Sequence, residues 1–143
     1  MNKIIHIILI SLFSLIFISC GEKNNTSEST SDENSIYSDN GTTFTVTVSY
    51  SKYYIDEILT KSLTLKKGYT YYFDATDSTT NNHPLFMGTI STGGSYSYEY
   101  TSGVTNSRTT TETLTFIVPS DSPSTLYYNC GNHAVMGGKI TIM

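Results

Sequence analysis

The stretch Thr42-Thr43-Phe44-Thr45-Val46-Thr47-Val48-Ser49-Tyr50 decides the fold. On an extended chain Phe44, Val46, Val48 and Tyr50 fall on one side, and Thr45, Thr47 and Ser49 on the other. Such period-two alternation marks a strand with one buried face. The pattern continues downstream with Leu63 and Leu65, then Tyr69, Tyr71 and Phe73. Tyr96, Tyr98 and Tyr100 alternate with Ser and Glu, and Leu114, Phe116 and Val118 follow. Leu126, Tyr128 and Cys130 form another set, and Ile140 and Ile142 close the chain. Lys67-Gly68, Gly93-Gly94, Gly103, Asp121-Ser122-Pro123 and Gly137-Gly138 supply turns between these runs. No stretch of useful length has helical period. About seven short strands over residues 42–143 predict an all-β fold, a Greek-key antiparallel β-sandwich.

Upstream of Thr42 the composition changes twice. Met1-Asn2-Lys3 is a short positive start, and Ile4 to Ile18 is almost wholly apolar. The apolar run is shorter than the roughly 20 residues a membrane-spanning helix needs. It reads as an export signal over residues 1–19, cut before Cys20. Phe17-Ile18-Ser19-Cys20 resembles a bacterial lipobox, which implies lipidation of Cys20. Residues 20–41 then form a polar tether whose acids (Glu22, Glu28, Asp32, Glu33, Asp39) face Lys23 alone. A segment with so few apolar residues cannot bury enough surface to offset its ordering entropy.

The chain has 143 residues, with 8 Lys+Arg against 12 Asp+Glu and a formal net charge of -4. No basic stretch interrupts this balance, so nucleic acid is not an expected partner. Cys20 and Cys130 are the only cysteines. With Cys20 assigned to lipid, Cys130 is a single thiol in an exported chain, and its presence calls for chemistry other than a disulfide.

That chemistry lies in Cys130-Gly131-Asn132-His133-Ala134-Val135-Met136-Gly137-Gly138. Cys130, His133 and Met136 stand at C-x2-H-x2-M spacing, between a strand end and a Gly-rich turn. A tight loop between adjacent strands can aim all three at one point. Thiolate, imidazole and a weak thioether, completed by a second imidazole, make the ligand set of blue-copper electron-transfer sites. His6 leaves with the signal, so His83, in Asn81-Asn82-His83-Pro84-Leu85-Phe86, is the one remaining source of that imidazole. Singly, a buried Cys is a small hydrophobe, a His beside Pro a turn residue, and Met136 a core plug. Together, four donors at this spacing predict a metal site of His83, Cys130, His133 and Met136.

These residues carry a resemblance. From about Thr42 to Met143 the chain resembles the cupredoxins (plastocyanin, azurin, amicyanin), and the loop spacing looks most like amicyanin. The resemblance implies one type 1 copper ion. His83 would be the upstream imidazole, Cys130 the thiolate, His133 the exposed loop imidazole and Met136 the axial thioether. One departure stands out. Family members commonly have Asn after the first His, with its N–H aimed at the thiolate, whereas Pro84 has no N–H. Asn132 keeps its N–H where several members have Pro, so the bonds to sulfur are expected to be rearranged.

The expected function is one-electron transfer outside the cytoplasm by a lipid-anchored protein, on the periplasmic face or the cell surface. The expected partners are a redox protein and, through Cys20, the membrane; a monomer is expected. The alternative is copper storage or delivery without a redox partner, but such sites favour Met- and His-rich runs that this chain lacks. Enzyme activity is not expected and no catalytic residue is assigned. Multicopper enzymes need more histidines, and no G-x-S-x-G segment is present. Zinc could use Cys and His, but a Met ligand is atypical for it. A metal-free module that kept the fold is the remaining possibility.

Overall fold

The computed structural model describes residues 41–143. The expected signal (1–19), the lipidated Cys20 and the tether up to residue 40 lie outside the described residues. Ten strands follow in order: β1 (Thr42–Ser49), β2 (Lys52–Ile55), β3 (Ile58–Leu59), β4 (Leu63–Leu65) and β5 (Thr70–Asp74). Then come β6 (Leu85–Gly88), β7 (Val104–Thr105), β8 (Thr113–Ile117), β9 (Thr125–Cys130) and β10 (Gly138–Ile142). One sheet has the order β3-β2-β1-β5-β8-β7, the other β4-β10-β9-β6. The chain changes sheet after β3, β4, β5, β6 and β8, so residues distant in sequence meet across the sandwich.

Within the strands the alternation read from the sequence is the burial pattern seen; Tyr50 and Tyr69, expected on the buried side, are exposed, because β1 ends at Ser49 and β5 begins at Thr70. Phe44 and Val46 of β1, Tyr71 and Phe73 of β5, and Leu114 and Phe116 of β8 point into the core. Leu63, Leu65, Leu126, Tyr128, Ile140 and Ile142 come from the other sheet into the same core. Each fully buried Phe or Leu side chain contributes roughly 1.5–3 kcal/mol relative to exposure. Two pairings are parallel, β1 with β5 (Phe44↔Phe73) and β4 with β10 (Ile140↔Leu63), and the rest are antiparallel. β5 reaches its parallel partner by leaving the sheet and returning beside β1, whereas β10 follows β9 within one sheet and is inserted between β9 and β4.

Tyr96, Tyr98 and Tyr100, expected as a strand, are not one. Glu99 N–H bonds back to the Tyr96 carbonyl at 3.1 Å, a turn that breaks the ladder. The segment serves instead to cover the edge of β6. Thr89 N–H reaches the Tyr98 carbonyl at 2.9 Å, and Tyr100 N–H reaches that of Met87 at 2.7 Å. Further along, Arg108 N–H bonds the Leu85 carbonyl at 2.7 Å and Leu85 N–H bonds that of Thr109 at 2.8 Å. An edge strand with its polar groups satisfied in this way offers no template for pairing with another chain. All four residues of β6 are consequently buried.

Candidate metal centre

β6 and β9 form an antiparallel pair in which Leu85 faces Cys130 and Phe86 faces Asn129. This register sets Pro84 and His83 beside the residues that follow Cys130. Gly131 N–H donates to the Pro84 carbonyl at 2.9 Å and extends the ladder one step beyond the strands. Asn132 Nδ2 donates to the Asn82 carbonyl at 2.9 Å, so a side chain ties the two loops together.

The approach to His83 is built locally. Asp77 caps a short 3-10 turn, Ser78–Thr80, by accepting from Thr79 N–H at 2.8 Å. Bonds from Thr79 hold the exposed Asp77 carboxyl below its ordinary value. The buried Thr80 hydroxyl lies among the carbonyls of Ala75 (2.8 Å), Asp77 (2.6 Å) and Thr110 (2.7 Å). His83 N–H then donates to the Thr80 carbonyl at 2.8 Å. Asn82 takes a left-handed conformation, φ 65°, which Asn tolerates better than most residues and which turns the chain toward β6.

Three of the four predicted ligands meet. Cys130 Sγ lies 3.6 Å from His133 Nδ1 and 3.9 Å from His83 Nδ1. Donor atoms of the three residues all fall within 4.8 Å of one another. The two imidazole rings are 4.7 Å apart, centre to centre, and tilted by 40°. Cys130 is fully buried, His83 half-buried and His133 exposed. Burial, with the neighbouring His133 as a second cause, pushes His83 below the ordinary imidazole value and favours its neutral form. A neutral imidazole is what a metal takes up. Cys130 is a free thiol. Met136, at the far end of the loop, is fully buried, and its carbonyl accepts from Tyr53 N–H at 3.0 Å.

Glycines shape the walls. A Cβ on Gly137 would strike the Tyr128 carbonyl, and one on Gly131 would strike the Tyr96 hydroxyl. Tyr96 thus lies against the ligand loop. Its ring meets Phe86 edge-on at 5.2 Å and carries the Arg108 guanidinium at 4.1 Å. Arg108 is in turn held by Glu99, with Nε to Oε2 at 3.0 Å. Sequence reasoning gave Tyr96 no place here, because the loop that carries it had read as a strand. Tyr53, with its hydroxyl donating to the His83 carbonyl at 2.6 Å, was also missed. Such a bond is worth about 0.5–1.5 kcal/mol net.

The group contains one thiol and two imidazoles and no carboxylate. A soft sulfur with borderline nitrogens suits a transition metal or zinc and not magnesium or calcium. His83, Cys130 and His133 could therefore hold a metal ion. Compared with known protein-family models and with curated proteins, the chain matches none.

Proposed function

We propose that the chain is a cupredoxin: a type 1 copper protein that carries single electrons outside the cytoplasm, anchored through lipid on Cys20. The observation that carries this reading is the convergence of two imidazole nitrogens, 3.6 and 3.9 Å away, on one buried sulfur. Cys130 would hold the metal as thiolate, His83 and His133 as imidazoles, and Met136 as a weak thioether from its buried place in the same loop. Copper, when bound, supplies a centre that gains or loses one electron. The protein's part is to keep the ligands in one arrangement. The Leu85↔Cys130 register, the Gly131–Pro84 bond and the Asn132–Asn82 bond support that rigidity. His133 is exposed and has exposed Ala134 and Val135 beside it, a small apolar rim suited to a transient redox partner.

Voltammetry of the copper-loaded chain separates carrier from store. A carrier gives a reversible one-electron wave without loss of metal. A chain that releases its copper on reduction and shows no return wave is a storage or delivery protein. The anchor is tested apart from the metal. Cys20→Ala is expected to leave the chain unlipidated and unprocessed by the lipoprotein route; recovery of that variant in the membrane fraction with the same lipid mass increment would contradict it.

A further inference from the structure

Tyr53 belongs to β2, in the sheet that does not contain Cys130. It is fully buried. Its hydroxyl donates to the His83 carbonyl at 2.6 Å, and its main-chain N–H donates to the Met136 carbonyl at 3.0 Å. Its own carbonyl is fixed by Thr60 N–H at 2.9 Å, so the residue is anchored within its hairpin. Of the two bonds toward the site, one holds the segment before β6 and the other holds the end of the β9–β10 loop. We infer that Tyr53 is a positioning residue of the metal site, setting from the opposite sheet the separation of the His83 and Met136 main chains around Cys130. This rests on the metal reading of the site.

Tyr128 provides an internal comparison. It is equally buried, and its ring lies 6.3 Å from that of Tyr53. Its hydroxyl donates to the Lys61 carbonyl at 2.9 Å, away from any ligand. Loss of either hydroxyl removes one buried hydrogen bond, but only one of them touches a ligand's main chain.

The test compares Tyr53→Phe with Tyr128→Phe in the full chain. The probes are copper(I) affinity, by competition with a chromophoric chelator, and the thiolate absorption of the cobalt(II) form. Both variants are expected to melt at lower temperature. Tyr53→Phe is expected to weaken copper(I) binding about tenfold, as partners one shell from a metal do, and to shift the cobalt band. Tyr128→Phe is expected to leave affinity and band unchanged. Wild type that binds both metals, with a Tyr53→Phe variant indistinguishable from it or from Tyr128→Phe, overturns the inference alone. Wild type that gives no cobalt–thiolate band overturns the metal reading itself. Should Tyr53→Phe fail to fold, the unmodified chain answers the question by NMR. The Tyr53 hydroxyl proton must move when copper(I) is added while that of Tyr128 stays, and a Tyr53 proton that does not move refutes the positioning role.

Discussion

Cys130→Ser is expected to abolish the visible absorption of the copper-loaded chain entirely while leaving the fold in place. The sulfur lies within 4 Å of both imidazole Nδ1 atoms. It is also the one soft donor among the three residues that meet. Serine keeps nearly the same shape, but its oxygen is hard and does not ionise near neutral pH. Intense colour in such a site comes from thiolate-to-metal charge transfer, which an alcohol cannot supply. The fold should survive because the substitution is nearly isosteric and creates no large void. Circular dichroism and the optical spectrum, taken on the same sample, check both halves of this expectation.

His83→Ala is expected to damage the site as badly as His133→Ala, although His83 lies 47 positions before Cys130. Partners one shell out from a metal typically contribute 10–100-fold in affinity. Removal of a ligand should therefore cost more than about 100-fold. No other histidine stands among the described residues to replace either one. The two variants should nevertheless differ in rescue. His133 is exposed, so added imidazole can enter the gap left by His133→Ala. His83 is half-buried, and the Asn132–Asn82 bond ties its loop to the ligand loop, so rescue of His83→Ala should be poorer. Unchanged affinity and spectrum in His83→Ala would mean that another group completes the site.

Much of the sandwich was legible because its strands are amphipathic. β1, β5, β8 and β9 carry alternating burial, and their alternating residues show it. β6 escaped because it is buried on both faces, so Leu85, Phe86 and Met87 form an apolar run without period. The Tyr96–Tyr100 stretch misled for the converse reason. From a turn, Tyr96 packs on Phe86 of β6 and the ligand loop, Tyr100 packs on Phe116 of β8 and Tyr98 is exposed, an arrangement that spacing alone does not separate from a strand. The parallel pairs depend on which distant strand β5 and β10 come to lie beside, and nothing local in β1 or β4 encodes that.

At the site, Cys130 and His133 were readable because one short loop carries both. His83 could be matched to them only because the chain offers so few histidines. The loop motif also names Met136, whose burial is compatible with a ligand's place. Tyr53 and Asn132 were not legible as supports. Their roles arise from the meeting of β2, the His83 segment and the ligand loop in three dimensions.

The optical spectrum of the wild-type chain loaded with one equivalent of copper(II) tests the central claim most directly. If His83, Cys130 and His133 hold the ion together, the sample turns intensely blue or green and bleaches on one-electron reduction. A copper-loaded chain without a thiolate charge-transfer band would contradict the assignment, whatever its affinity for the metal.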